Sequence, residues 1–213
     1  MKIVSVILAR GGSKGIPKKN IIPINGKPLI SYTINASTNS SIKQTWVSTD
    51  CEEIKLVSKG LGANIINRPS EISGDNSKSE EALLNFAEWV DFDVVVFIQP
   101  TSPLLESDDI DGAIKMMIDK NLDSVFSAYK EHWIPRWSQD MYPYYWDINN
   151  RPMRQDVPER YVENGAFYIT TRKALLESGL RYSGNIGIYE MPMSRSFQVD
   201  TTEDLELIEK IMK

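Results

Sequence analysis

The sequence predicts an α/β fold: an open, mostly parallel sheet with helices on both faces and one small dimerisation or lid excursion. Three observations lead there. An aliphatic run, Ile3 to Leu8, passes directly into a Gly-rich loop, the pattern of a strand buried on both faces. Strand-like and helix-like periodicities then alternate from residue 3 to residue 128, as in a Rossmann-like sheet. Residues 129–164 break that alternation with a stretch rich in Trp, Tyr and Pro. The 213 residues suffice for one sizeable core, so the chain reads as a single domain, 1–213, with 129–164 as its aromatic-rich excursion.

After the first strand, Pro28 to Thr38 reads as a helix, with Pro28 in its first turn and Leu29, Ile30, Thr33 and Ile34 on one side. Gln44 to Ser48 is a short strand. Asp50 to Leu61 is a helix that turns Ile54, Val57 and Leu61 inward, and Asp50 with Glu53 has the spacing of a capping box. Gly60 and Gly62 supply its stop, and Ala63 to Ile66 is the next strand. A polar stretch, Asn67 to Lys78, precedes a helix from Ser79 to Val90 with Ala82, Leu83, Phe86 and Ala87 at helical spacing. Asp93 to Ile98 is the most hydrophobic strand and reads as central. Ser107 caps a helix running to about Met117, and Ser124 to Ala128 is a strand. The excursion holds Trp133, Trp137, Tyr142, Tyr144, Tyr145, Trp146 and Tyr161; it reads as a subdomain, a lid or an arm exchanged in a dimer. Ala166 to Thr170 returns to a strand, Thr171 to Glu177 is a helix, and Ile186 to Tyr189 is a strand. Thr201 and Asp204 open the last helix as a capping box.

Composition narrows the chemistry. A net charge of −5 removes the broad basic surface used by nucleic-acid binders, so no such partner is expected. Cys51 is the only cysteine and His132 the only histidine, which excludes intrachain disulfides, thiolate clusters and multi-His metal sites. Ionic chemistry falls to Asp, Glu, Lys, Arg and backbone groups, a set suited to phosphates and hard cations. The first apolar run is too short to span a membrane and no cleavage pattern follows it. A cytoplasmic protein with no membrane association is therefore expected.

The loop Ala9-Arg10-Gly11-Gly12-Ser13-Lys14-Gly15 carries the strongest signal. Gly11, Gly12 and Gly15 let the backbone turn sharply and aim N–H groups at an oxyanion. Arg10, Lys14, Lys18 and Lys19 set four cations within ten positions, about the charge that meets a triphosphate. Neither a Walker pattern nor a Gly-x-Gly-x-x-Gly fingerprint is present. The loop follows the first parallel strand, where open sheets bind ligands. This combination points to a phosphate-binding site.

The run Ile7-Leu8-Ala9-Arg10-Gly11-Gly12-Ser13-Lys14-Gly15-Ile16-Pro17-Lys18-Lys19-Asn20 resembles the signature of the acylneuraminate cytidylyltransferases. These are the CMP–sialic acid synthetases and their relatives for legionaminic, pseudaminic and similar acids. Val47-Ser48-Thr49-Asp50, Gln99-Pro100-Thr101-Ser102-Pro103-Leu104, Asn164-Gly165-Ala166-Phe167-Tyr168-Ile169 and Asp200-Thr201-Thr202-Glu203-Asp204-Leu205 agree in the same order. The resemblance spans nearly the whole chain. It implies transfer of CMP from CTP to the anomeric hydroxyl of a sialic-acid-like nine-carbon acid, release of pyrophosphate, a need for Mg2+ and a homodimer.

By the same resemblance, Arg10, Lys14 and Lys19 are the catalytic cations at the triphosphate. Ala9, Gly11, Gly12, Ser13, Asn20 and Arg68 belong to the nucleotide site. Gln99, Arg136, Arg154 and Asn164 belong to the sugar, and the two arginines are candidates for its carboxylate, which a guanidinium fork suits. Family members of the sialic-acid type typically have Asp-x-Asp before the last helix. Here Gln198 replaces the first Asp and Asp200 keeps the second, so a metal would rest on Asp200, waters and CTP. Two alternatives stay open: a sugar-1-phosphate nucleotidyltransferase using another NTP, and a non-catalytic nucleotide-binding homologue with Gln198 as its mark.

Overall fold

A computed structural model describes all of residues 1–213. Strand β1 (Ile3–Leu8) is followed by a small hairpin, β2 (Pro23–Ile24) and β3 (Lys27–Pro28), and by helix α1 (Leu29–Thr38). Then come β4 (Thr45–Thr49), α2 (Glu52–Gly60), β5 (Asn64–Asn67), α3 (Ser79–Trp89) and β6 (Val94–Ile98). The second half adds α4 (Ser107–Asp119), β7 (Ser124–Lys130), β8 (Tyr161–Thr171), α5 (Arg172–Ser178), β9 (Ile186–Glu190) and α6 (Thr202–Ile211).

Seven strands form one sheet in the order β5-β4-β1-β6-β8-β7-β9. All neighbours pair in parallel except β8, which runs antiparallel to both β6 and β7. The mostly parallel sheet with helices on both faces is therefore as the sequence predicts. Period-two alternation sorts its side chains to the two faces. Ile7, Val96 and Ile98 meet Ile30, Ile34, Ile54 and Ile110 of α1, α2 and α4. Val6, Val95 and Phe97 meet Leu83, Phe86 and Leu175 of α3 and α5. A third cluster, Ile16, Ile24, Leu29, Val199 and Ile208, joins the Gly-rich loop to the hairpin and α6.

Four local readings need correction. Asn25 and Gly26, both at positive φ (46° and 78°), close the β2–β3 hairpin, an Asn-Gly turn that the helix-and-strand periodicity passed over. α4 is capped by Glu106, not Ser107, because Glu106 forms the reciprocal box with Asp109. α2 begins at Glu52 after Cys51, not at Asp50. β8 starts at Tyr161 rather than Ala166: Lys130, Tyr129 and Ala128 pair with Tyr161, Val162 and Glu163. The excursion thus shrinks to residues 131–160. Its rings partly pack on each other: Trp137 meets Trp146 edge-on at 5.0 Å, and Arg151 lies 5.6 Å over both Trp133 and Trp146. Met141, Tyr142 and Tyr145 remain well exposed. No helix is long and apolar enough to cross a membrane.

One ion pair ties α3 to the segment after α5. Arg181 donates to Glu80 through Nε (2.6 Å) and Nη2 (3.1 Å), and its guanidinium lies 5.0 Å over the Tyr168 ring. Burial pushes the Glu80 carboxyl up, but the Arg181 hydrogen bond, Glu80's own backbone N–H and the Arg181 charge outweigh it and hold it below the usual range. A depressed folded-state value means stabilisation is present above the unfolded carboxylate pKa of about 4.3 and is lost as pH falls through the folded value. Glu80→Gln is expected to lower unfolding stability at pH 7 by about 1.5–3 kcal/mol. In urea titrations the gap between parent and variant should close as the pH drops below about 4. A gap that stays constant with pH would show that the carboxylate charge is not what stabilises this contact.

Candidate active site

β1 ends by handing the chain to the Gly-rich loop. Ala9 is fully buried, and its N–H donates to the Ser48 carbonyl at 3.0 Å, so the loop leaves the sheet from a fixed point. A Cβ on Gly11 would stand 2.8 Å from Cys51 Cβ and 3.4 Å from its Sγ, a closeness that only glycine admits. The Gly11 N–H donates to Asp50 Oδ1 at 2.8 Å. Glu53 accepts from Lys18 Nζ at 2.7 and 2.8 Å. The expected Asp50–Glu53 capping box is therefore absent: both carboxylates face the loop, and Cys51 is the N-cap of α2. A Cβ on Gly12 would meet open space, while one on Gly15 would lie 3.0 Å from the Asp200 carbonyl.

The loop borders a cleft of about 450 Å³. Arg10, Ser13, Lys14, Gly15, Lys19 and Asn20 line one side. Gln99 and Thr101 beyond β6, Ser79 at the start of α3, and Asp200 before α6 line the rest. The cations are paired across it. Arg10 Nη1 donates to the Gly74 carbonyl (2.7 Å) and lies 3.0 Å from Asp75 Oδ1. Lys14 Nζ is 2.9 Å from Asp75 Oδ2, and Lys19 Nζ is 2.9 Å from Asp200 Oδ1. Asn20 Nδ2 donates to the Arg10 carbonyl at 2.9 Å, which fixes the loop's return. Asp200 is itself steadied through Asp204, which accepts from the N–H groups of Asp200 (3.0 Å) and Thr201 (2.8 Å).

Arg68 stands behind this wall. It is buried, donates to Ser48 Oγ (3.2 Å) and the Ser48 carbonyl (2.8 Å), and does not line the cleft. Burial lowers its pKa to about 10; the Asp50 charge opposes this and the Arg10 charge adds to it. Asn164 is also buried. Its Oδ1 accepts from Ser127 Oγ (2.6 Å) and the Ala166 N–H (3.1 Å), and its Nδ2 donates to Ser196 Oγ (2.9 Å). Gln198 Nε2 donates to the Asn164 carbonyl, and its Oε1 accepts from Thr101 Oγ1 at 3.4 Å.

Arg136 and Arg154 lie in the excursion and do not line this cleft. Arg136 pairs with Glu131 at 2.5 Å. Arg154 sets Nη2 2.8 Å from His132 Nε2, in a separate hollow of about 410 Å³ with Lys130, Glu159 and Arg160. Sequence reading missed Ser79, Thr101 and Asp75. Ser79 was legible only as a helix start, and Asp75 as one more polar loop residue.

The metal question turns on the donor set. No three His, Cys, Asp or Glu side chains gather to hold an ion by themselves. Asp200 is the one carboxylate lining the cleft. Magnesium is commonly held by one or two carboxylates plus phosphate oxygens. The residues fit such an ion only as a partner of a bound polyphosphate.

Gly11→Ala is expected to push the loop off Cys51 and abolish anion binding in the cleft while the sheet stays folded. Adding Cys51→Gly removes the clashing Cβ and should restore part of the affinity in calorimetric titration with pyrophosphate. No recovery in the double variant would show that the contact with Cys51 does not set the loop's position.

Residues 4–213 match the family described as Cytidylyltransferase. N-acylneuraminate cytidylyltransferase B of Danio rerio is 41% identical over 214 residues, covering 97% of this chain and 50% of that protein. Pseudaminic acid cytidylyltransferase of Campylobacter jejuni is 34% identical over 225 residues, covering 100% of this chain and 97% of that one. The chain thus spans about half the length of the vertebrate relatives, such as the first of these, and nearly all of the bacterial one. The structure of a CMP:2-keto-3-deoxy-manno-octonic acid synthetase complexed with CTP superposes with a TM-score of 0.76 over 100% of this chain and 98% of that one. At 21% identity, that is a likeness of fold. A sheet of this topology, a cation-lined cleft at the end of β1 and relatives of this similarity lead to one conclusion: the chain belongs to the cytidylyltransferase family.

Proposed function

We propose that the chain joins CMP from CTP to the anomeric hydroxyl of an acidic, sialic-acid-like nonulosonic acid and releases pyrophosphate. The observation that carries this reading is the cleft at the end of β1, where Arg10, Lys14 and Lys19 share one hollow with Asn20, Ser79 and Gln99. Family membership supports the cytidylyl group, and the names of the Danio rerio and Campylobacter jejuni relatives support an acidic sugar.

The chemistry is an in-line displacement. The sugar hydroxyl oxygen forms a bond to the α-phosphorus, the bond from that phosphorus to the oxygen bridging to the β-phosphate breaks, and pyrophosphate leaves with the bonding pair. The hydroxyl proton passes to a base or to water. No covalent enzyme intermediate is needed. Such a reaction rests on positioning and charge neutralisation. Arg10, Lys14 and Lys19 neutralise the triphosphate, and the glycine amides and Ser13 donate to its oxygens. Asn20, Ala9 and the buried Arg68 shape the base and ribose side. Gln99 orients the sugar from the wall that Asn164 and Gln198 hold in place. Asp200 is the cleft residue that would hold Mg2+ alongside a bound nucleotide, and the ion would supply charge neutralisation at the leaving group.

The assay is pyrophosphate release from CTP and Mg2+ over a panel of nine- and eight-carbon 2-keto acids. Lys19→Ala and Arg10→Ala are each expected to lower kcat/KM by about 10²–10³-fold with the thermal midpoint nearly unchanged. Release with another NTP and a sugar 1-phosphate would replace this reading with the sugar-1-phosphate one. Tight CTP binding without release with any acid would mark a non-catalytic homologue.

The excursion completes the proposal. Its exposed Met141, Tyr142 and Tyr145 suit an interface in a homodimer, where Arg136 and Arg154 would face the sugar carboxylate of the neighbouring cleft. Sedimentation is expected to show a dimer, and Tyr142→Glu with Tyr145→Glu to shift it to monomer with the helix signal intact. A parent protein that sediments as a monomer at all concentrations would count against the shared site.

A further inference from the structure

Every cation of the loop has a carboxylate partner, but Asp75 differs from the others. Its two oxygens are divided between two cations, Oδ1 at 3.0 Å from Arg10 Nη1 and Oδ2 at 2.9 Å from Lys14 Nζ. One anionic group bridging two cations with one oxygen each is the arrangement a phosphate group would make. The preceding carbonyl, Gly74, accepts from the same Arg10 Nη1 at 2.7 Å. The Lys14 hydrogen bond, against some opposing burial and with the Lys14 and Arg10 charges assisting, holds the Asp75 carboxyl below its ordinary range, so it is ionised at neutral pH.

The segment carrying Asp75 is tied to itself more than to the core. Gly74 to Ser77 is a tight turn closed on itself: the Ser77 N–H donates to the Gly74 carbonyl (3.2 Å) and the Gly74 N–H donates to Ser77 Oγ (3.1 Å). No residue from Pro69 to Lys78 is buried, so lifting the turn removes no core packing. Its two ends, Arg68 after β5 and Ser79 at the start of α3, are fixed. Ser79 lines the cleft itself, so the turn hangs beside the phosphate-binding cations while anchored at the cleft's rim.

We infer that Asp75 is a positioning residue acting as the exchangeable counter-ion of the phosphate loop: in the empty cleft it holds Arg10 and Lys14 in their anion-binding arrangement, and a polyphosphate chain displaces it. This rests on the reading that the loop binds polyphosphate. Two like-charged groups cannot share Arg10 and Lys14 without repulsion, and the polyphosphate brings more charge. The 69–78 segment therefore swings out as the ligand enters. Its return competes with pyrophosphate for the same two cations and so favours product release. The ligand chemistry is shared by a nucleoside triphosphate and free pyrophosphate, and affinity for both is set by the same exchange.

The test is calorimetric titration of the full chain with tripolyphosphate, pyrophosphate and CTP, each at fixed Mg2+, for the parent, Asp75→Asn and Asp75→Glu. Asp75→Asn is expected to bind all three ligands about 5–10-fold more tightly than the parent, and Asp75→Glu to stay near it. A residue needed only for loop structure would weaken binding when changed, so a gain in affinity is diagnostic. In steady-state assays with CTP the Asn variant should show a lower KM and stronger inhibition by pyrophosphate, without a higher kcat. Unchanged or weaker affinity in Asp75→Asn overturns the displacement while leaving a polyphosphate-binding loop in place. Failure of parent and variant alike to bind any of the three ligands overturns the polyphosphate reading as well.

Discussion

Four cations on one short loop repel one another, and the surrounding fold is organised around that repulsion. Arg10 and Lys14 meet Asp75, Lys18 meets Glu53, and Lys19 meets Asp200. The three carboxylates come from different places: the β5–α3 connection, the first turn of α2 and the entry to α6. Each pair is partly exposed and individually worth little. Their value is positional. They staple a glycine-rich backbone, which has little conformational preference of its own, to three elements at once. On the function proposed above, the charge that would draw polyphosphate to the loop is also what ties the loop to its neighbours.

The opposite wall of the cleft depends on the reversed strand. The chain leaves β7 at Lys130 and re-enters the sheet at Tyr161, so β8 must run back antiparallel, wedged between β6 and β7. This brings Asn164 to Ala166 beside the end of β6, where the Gln99 N–H donates to the Ala166 carbonyl at 3.1 Å. Residues 198–199 close the same wall, since the Val199 N–H donates to the Thr101 carbonyl at 2.9 Å and Gln198 bonds the Asn164 carbonyl. Three stretches distant in sequence become one surface through backbone groups, and the buried Asn164 amide is fully partnered in the process.

What could be read from the sequence follows from how local each signal is. β1 and the loop were legible because a six-residue aliphatic run and adjacent glycines carry their own instructions. The last helix was legible because Thr201 and Asp204 form a box within one turn. The site residues Arg10, Ser13, Lys14, Lys19, Asn20, Gln99 and Asp200 do share one cleft. The counter-ions did not announce themselves, since Asp75 is an ordinary loop residue until the fold sets it against cations 61 and 65 positions away. The first residues of β8 were illegible for a similar reason: Tyr161 to Asn164 lack an apolar alternation and become a strand only by pairing with β7. Arg136 and Arg154 were legible as residue types, yet the fold sets them in the excursion, outside this cleft.

Gln198 shows what an amide does at a position where a carboxylate would carry charge. Two carboxylates side by side on an extended segment repel unless a cation bridges them. An amide both donates and accepts, and Gln198 does both, toward the Asn164 carbonyl and from Thr101. The wall of the cleft is therefore closed by neutral hydrogen bonds and needs no ion to hold its shape. Asp200 is left as the sole cleft carboxylate, and its charge is already engaged with Lys19. On the function proposed above, Asp200 would hold a divalent cation only together with the phosphates of a bound nucleotide. The order of the cleft is thus a property of the fold itself, set by the hydrogen bonds of Gln198 and by the Lys19–Asp200 pair.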